Sequence, residues 1–261
     1  MTERPAPQAI ITGASAGIGA ALATKLAAEG YDLVLVARRA ERLEALAEAV
    51  RSEHGREVAV LALDITSSGA LDAIQAAAPA PAVLINNAGL GKFGSALKHT
   101  VAESALQVRI NCEALTTLTL GYLPRFVERG GGVIVNVASI AAFQPVPFFA
   151  VYAATKAYVL SLSEALDEEL RGTGVRVVAI CPGPVPTEFQ ANAGSPDAHH
   201  EPDRTRRSPE QIADVTIAAI KKPRRVVTPV GIHGFIHWAQ RFVPRSTVLS
   251  IAAKKMRKRG V

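Results

Sequence analysis

Six apolar runs recur along the chain, each separated from the next by enough residues for a helix, and that alternation restricts the fold more than any other feature. They are "QAIIT" (8–12), "DLVLVA" (32–37), "EVAVLALD" (57–64), "AVLINNAG" (82–89), "GVIVNVAS" (132–139) and "GVRVVAICPG" (174–183). The runs are continuous rather than alternating, as expected of strands buried on both faces. Between them lie helical patterns, among them 17–29, closed by Gly30, and 41–54. Strands alternating with helices at this spacing indicate βαβ units and a parallel sheet. The expected fold is therefore α/β: a doubly wound domain whose central parallel sheet is flanked by helices. No internal repeat or low-complexity linker divides the 261 residues, so one domain over 1–261 is expected. The stretch 191–208, "ANAGSPDAHHEPDRTRRS", reads as a mobile loop within a substrate lid of about 188–215.

Composition narrows the setting. A chain that is 49% hydrophobic and 20% charged can bury a large core. The longest apolar region, 133–154, is interrupted by Asn136, Ser139, Gln144, Pro145 and Pro147, unlike a membrane span. The N-terminus lacks an apolar stretch followed by a cleavage site, so a cytoplasmic location is expected. Cys112 and Cys181 are far apart and have no ligand cluster nearby, so they read as reduced core thiols and no metal is expected. Charge is uneven: residues 221–261 carry +11, leaving −5 elsewhere in a chain of net +6.

The first βα junction, "ITGASAGIGAAL", places Gly13, Gly17 and Gly19 between a strand and a helix. Glycines permit a tight turn and close backbone approach, and a helix N-terminus presents free N–H groups to a pyrophosphate. The second strand ends in Ala37, where a carboxylate would accept a ribose 2′-hydroxyl, and is followed by Arg38 and Arg39. Asp32 comes too early for that role. With no carboxylate to repel a phosphate and two guanidinium groups to hold it, NADP(H) is expected over NAD(H). The alternative is two solvated arginines leading into a helix.

"YAATK" sets Tyr152 and Lys156 four residues apart. On a helix that spacing brings both to one face, about 5–6 Å apart at Cβ. A fixed positive charge there would lower the phenol pKa toward neutrality, giving a usable proton donor and acceptor. The plain alternative is two amphipathic side chains on a solvated helix.

Taken in order, "TGASAGIG", "LDIT" (63–66), "NNAG" (86–89), Asn111 in "RINCEA", Ser139 in "NVASI", "YAATK" and "PGPVPT" (182–187) resemble the short-chain dehydrogenases/reductases in their short, single-domain form. The match runs from Ile10 to about Thr187. The resemblance implies a Rossmann-type domain and an oxidoreductase that interconverts a carbonyl and a secondary alcohol. It implies that Tyr152 is the acid/base, that Ser139 hydrogen-bonds the substrate oxygen, and that Lys156 binds the nicotinamide ribose and lowers the Tyr152 pKa. Asn111 would hold a water that links Lys156 to solvent. Gly13, Ser15, Ala16, Gly17, Ile18 and Gly19 would cradle the cofactor, with Asp64 and Ile65 at the adenine. Asn87, Ala88 and Gly89 would line it, and Pro182, Gly183, Val185 and Thr187 would flank the nicotinamide. A homo-oligomer, dimer or tetramer, is implied as well. A non-catalytic NADP(H)-binding sensor or scaffold is the alternative, disfavoured because a binder has no need of Asn111, Ser139, Tyr152 and Lys156 together.

The resemblance fades after Thr187. Ser208-Pro209-Glu210 reads as a helix start. Phe143, Phe148 and Phe149 are expected to join the lid in an apolar substrate pocket, unless they belong to the core or a subunit interface. Tyr158, without a lysine four residues on, reads as packing. The basic C-terminal segment, 221–261, includes Phe235, Ile236, Trp238 and Phe242. It suits either peripheral contact with an anionic membrane or a docked segment with a solvated basic tip. No nucleic-acid-binding motif accompanies the charge.

Overall fold

The computed structural model describes residues 5–195, 207–229 and 243–258. Its strands are β1 (Gln8–Thr12), β2 (Asp32–Ala37), β3 (Val58–Ala62), β4 (Val83–Asn86), β5 (Gly132–Val137), β6 (Val175–Ile180) and β7 (Val226–Val227). They form one parallel sheet in the order β3-β2-β1-β4-β5-β6-β7. The helices are α1 (Gly17–Ala28), α2 (Ala40–His54), α3 (Ala70–Ala77), α4 (Val101–Val108), α5 (Leu115–Glu128), α6 (Ala150–Glu169), α7 (Glu188–Asn192), α8 (Pro209–Lys221) and α9 (Arg245–Lys258).

The continuous apolar runs follow from what covers them. Ala9 and Ile11 of β1 pack on one side with Leu22 and Leu26 of α1, Leu43 of α2 and Ile212 of α8. Ile10, between them in sequence, faces the other layer with Ile74 of α3, Leu118, Tyr122 and Phe126 of α5 and Leu166 of α6. Successive residues of a strand point to opposite faces, so a strand covered on both must be apolar throughout. Ile10, Ile11, Leu35 and Ile85 are fully buried, each worth about 1.5–3 kcal/mol in area removed from water.

Strand order reverses direction between β1 and β4, and the crevice at the carboxyl ends of such strands is where ligands bind in open α/β sheets. The turn after β1 and the "NNAG" segment after β4 face each other there. Helix α8 begins as expected, with Ser208 accepting from the Gln211 amide (3.3 Å), Gln211 bonding back to Ser208 (3.1 Å) and Pro209 in the first turn. The two-residue edge strand β7 had no counterpart in the sequence reading. It pairs with Ala179 and Ile180 and is tied down by Arg225, which reaches Asp167 of α6 (3.2 Å). Among the described residues no helix is long and apolar enough to cross a membrane, and no cluster of potential metal ligands occurs. Phe235, Ile236, Trp238 and Phe242 lie outside the described residues, as does 196–206 of the expected lid.

Candidate active site

The glycine turn is held in shape from both sides. Gly13 (φ +67) and Gly17 (φ +56) have left-handed torsions that glycine adopts at no steric cost. Gly19 is required by space instead, since a methyl group there would lie 2.3 Å from the Gly13 carbonyl oxygen. Thr12 Oγ1 accepts hydrogen bonds from the amides of Asn87 (3.0 Å) and Ala88 (3.1 Å). Asn87 Nδ2 donates back to the carbonyls of Thr12 (3.0 Å) and Gly13 (3.2 Å). The "NNAG" segment is thus stapled to the turn. No side chain caps the N-terminus of α1, which leaves its first amides available to an anion. Thr187 packs against the turn, 2.9 Å from where a Gly17 methyl would sit.

Across the crevice, α6 carries Tyr152 and Lys156 on one buried face, with 8% and 4% of their surface exposed. The reading as a solvated helix face is excluded. Lys156 Nζ donates to the Val137 carbonyl at the end of β5 (2.7 Å) and stands 5.7 Å from the centre of the Tyr152 ring. Ser139 follows that strand end, accepts from the Ala141 amide (3.1 Å) and lies within hydrogen-bonding reach of the Tyr152 hydroxyl. Gly89 closes the group: a methyl on it would lie 3.5 Å from Lys156 Nζ and 3.4 Å from Asn111 Oδ1.

Asn111 sits in a single π-helical stretch, Arg109–Ala114, between α4 and α5. Wider turns of this kind often occur at functional sites. Its carboxamide donates to the Leu90 carbonyl (2.8 Å) and Thr155 Oγ1 (2.9 Å) and accepts from the Leu90 amide (2.9 Å). Thr155 in turn donates to the Tyr152 carbonyl (2.8 Å). Asn111 therefore clamps the loop after β4 onto α6. Both its N–H donors are engaged by protein, so a water at this residue would have to donate, to the second lone pair of Oδ1 or to a backbone carbonyl of the turn.

The electrostatics differ from the sequence expectation in one respect. Burial pushes the Tyr152 phenol up to about 12, with the Ser139 hydrogen bond opposing that rise. Burial also pushes Lys156 down to about 8. In this state Lys156 does not draw the phenol toward neutrality, because desolvation disfavours both charged forms. At neutral pH the phenol is a neutral proton donor. Cys181, buried nearby, is raised to about 12 by the same effect and is an unreactive thiol.

Four aromatic rings converge on this face. Phe149 stacks on Tyr152 (4.2 Å between centres) and on Phe93 (3.6 Å), and Phe189 of α7 approaches Tyr152 at 5.5 Å. A methyl on Gly91 would meet both Phe149 (2.8 Å) and Phe189 (2.9 Å). Of the three phenylalanines expected at the pocket, only Phe149 stacks on Tyr152. Phe143 packs against the Ala138, Ala142 and Val159 cluster, and Phe148 holds a left-handed φ of +62 beside the site. Phe93 and Phe189 were missed, because nothing local marks two phenylalanines so far apart in sequence as neighbours.

At the other end of the crevice Arg39 bonds Ser15 Oγ through Nε (3.1 Å) and Nη2 (3.0 Å), and Glu188 through Nη1 (2.7 Å). Arg42 pairs with the other Glu188 oxygen. The hydrogen bonds from Arg39 and Arg42 hold the Glu188 carboxyl below the usual range. The expectation that no carboxylate stands near Arg39 is corrected: one arrives from residue 188. Arg38 is exposed. Asp64 accepts from the Thr66 amide (2.9 Å) and hydroxyl (2.7 Å); that amide first of all, then the hydroxyl and the charges of Arg38 and Arg109, lowers its pKa. Tyr158, expected to pack, is 42% exposed and hydrogen-bonds Thr116 (2.8 Å).

Residues 7–198 match the family model described as short chain dehydrogenase. The chain belongs to the short-chain dehydrogenase/reductase family. It is 42% identical over 186 residues to the sulfoacetaldehyde reductase of Chromohalobacter salexigens, an alignment that covers 69% of this chain and 72% of that one. Its structure is similar to a short-chain dehydrogenase from Sphingobium yanoikuyae in complex with NADPH, with a TM-score of 0.80 and 35% identity over 97% and 95% of the two chains. A bulky-bulky ketone specific alcohol dehydrogenase from Comamonas testosteroni aligns with a TM-score of 0.78 and 30% identity, covering 91% and 93%. This short-chain dehydrogenase/reductase brings Tyr152, Ser139, Lys156, Asn111 and Gly89 into one group. Val185 is buried beneath the crevice, while Pro182 accepts from the Ile140 amide (2.9 Å).

Proposed function

We propose that this protein is an NADP(H)-dependent oxidoreductase that interconverts a carbonyl and a secondary alcohol on a hydrophobic substrate. The observation that carries the reading is the buried pair Tyr152 and Lys156 with Ser139 beside them at the end of β5, opposite an uncapped helix N-terminus. A bound nicotinamide cofactor supplies or accepts the hydride. Its fit rests on the donors present: the open amides at Ala16 to Gly19, and Lys156, which uses one donor on Val137 and has two more for ribose hydroxyls. Gly13 and Ser15 belong to the same cradle, with Asp64 and Ile65 at the adenine and Ala88, Gly89, Pro182, Gly183, Val185 and Thr187 along the nicotinamide half. Asn87 contributes by holding the turn. Ala37 in place of an acid, followed by Arg38 and Arg39, favours NADP(H), and the similar Sphingobium protein is a complex with NADPH.

In the reducing direction Tyr152, neutral at pH 7, donates its proton to the oxygen on which charge develops. Ser139 donates a second hydrogen bond to that oxygen. Lys156 supplies positive charge behind the phenol once it is ionised, and Asn111 positions α6 against the loop after β4. The rings of Phe93, Phe149 and Phe189 form an apolar wall, which supports a hydrophobic carbonyl substrate. The reading includes a homo-oligomer acting in the cytoplasm, with the whole chain as one catalytic unit.

The test follows NADPH and NADH oxidation against aryl ketones, aliphatic ketones, keto-acyl thioesters, quinones and sulfoacetaldehyde, alongside Tyr152→Phe. We expect turnover with NADPH on an apolar carbonyl, falling about 10²–10⁴-fold in Tyr152→Phe while cofactor binding is retained. NADPH binding without turnover on any member would favour the sensor reading.

A further inference from the structure

Helix α7 touches three parts of the crevice within three consecutive residues. Thr187, just before it, packs on the glycine turn at Gly17. Glu188 is held between Arg39 (2.7 Å) and Arg42. Phe189 lies over Tyr152 at 5.5 Å and against Gly91. Ala193, at its end, accepts a hydrogen bond from the Phe93 amide (2.7 Å).

We infer that Glu188 occupies the place of the cofactor's 2′-phosphate on Arg39, and that a 2′-phosphate binds by displacing it, which releases the helix that holds Phe189 over Tyr152. The inference rests on the reading of Arg39 as the phosphate-binding residue. Arg39 has five N–H donors in a fixed fork; the edge not engaged by Ser15 faces Glu188. A carboxylate bridging Arg39 and Arg42 imitates a phosphate, offering two anionic oxygens to two guanidinium groups. The two anions cannot share Arg39 without like-charge repulsion, so one excludes the other. A cofactor without the 2′-phosphate leaves the Glu188 contacts intact.

The consequence for the site is direct. With Phe149 stacked on it and Phe189 of α7 against it Tyr152 is only 8% exposed, and movement of α7 removes the second of these covers and gives a carbonyl access. Glu188 and Phe189 are adjacent on one helical turn and move together. The cofactor form thereby sets substrate access: NADP(H) frees the helix, NAD(H) does not. Glu188 is a specificity-determining residue that both weakens NADP(H) binding and couples it to opening.

Titration calorimetry of NADP⁺, NAD⁺ and 2′,5′-ADP against wild type, Glu188→Gln and Arg39→Ala tests this, together with hydrogen exchange over residues 187–195. Glu188→Gln should tighten NADP⁺ and 2′,5′-ADP about two- to fivefold and NAD⁺ by less than about 1.5-fold, the range expected for one exposed ion pair. In wild type, 2′,5′-ADP should speed exchange across α7 where 5′-ADP does not; this arm needs no variant. An unchanged NADP⁺ to NAD⁺ ratio in Glu188→Gln, or exchange that 2′,5′-ADP slows or leaves alone, overturns the inference while the cofactor reading stands. If Arg39→Ala also leaves that ratio unchanged, the phosphate reading fails and takes the inference with it.

Discussion

Burial acts in opposite directions on the two ionisable groups at the heart of the crevice, raising Tyr152 to about 12 and lowering Lys156 to about 8. For Lys156 the stability consequence has a definite sign. Between about pH 8 and the unfolded value of 10.5 the unfolded chain binds a proton that the folded one does not, so this group's contribution to stability rises with pH. Relative to Lys156→Met, wild type should gain about 2–3 kcal/mol between pH 7 and pH 10, measured by urea unfolding at each pH. A flat difference would mean that Lys156 keeps its proton in the fold. The aromatic wall is tested at Phe189, whose removal opens space beside Tyr152 without touching the main core. Phe189→Ala should raise kcat/KM for bulky ketones over small ones about tenfold, within the range of apolar pocket contacts. The pair Tyr152 and Lys156 was legible in the sequence because helical spacing is local. The direction of the Tyr152 shift was not, since it depends on what covers the phenol.

Among the elements, the turn from β1 into α1 shows why its three glycines differ. Gly13 and Gly17 combine left-handed torsions with little room for a methyl, whereas Gly19 serves by lack of volume alone. Gly19→Ala should cost about 1–3 kcal/mol, the usual range for overpacking, and weaken dinucleotide binding by shifting the turn. Thermal unfolding and calorimetry would check both, and an unperturbed affinity would show that the turn relaxes at no cost to its ligand. The first two strands coincide with the apolar runs 8–12 and 32–37. The π-helical stretch around Asn111 gave no sign in advance; Asn111 within it bonds Leu90 and Thr155, partners that only the packing of separate elements brings to it.

Across the molecule, Asp167 joins α6 to the far edge of the sheet. It accepts from Arg176 (2.8 Å), the Val177 amide (3.1 Å) and Arg225 (3.2 Å). Burial alone would raise its pKa, but the Arg176 bond, the Val177 amide and Arg225 outweigh that and lower it. A carboxyl lowered on folding stabilises above its unfolded pKa, and that contribution is lost as pH falls through the folded value. Asp167→Ala should therefore cost about 2–3 kcal/mol at pH 7, less at pH 3, and loosen β7, as read by denaturant midpoints and amide exchange at Val226 and Val227. Equal costs at both pH values would deny the carboxylate its role.

Period and composition were enough to read the doubly wound sheet, the glycine turn and the shared face of Tyr152 and Lys156, because each depends on neighbours within a turn or on strands covered from both sides, whereas Asn111 and Ser139 were singled out by the resemblance alone. The structure alone placed Glu188 on Arg39, Phe93 and Phe189 at the Tyr152 wall, and Asn111 as a clamp on Leu90. Those contacts join residues up to 149 positions apart. Their partners are chosen by the packing of distant elements, and no local pattern of residues carries that information.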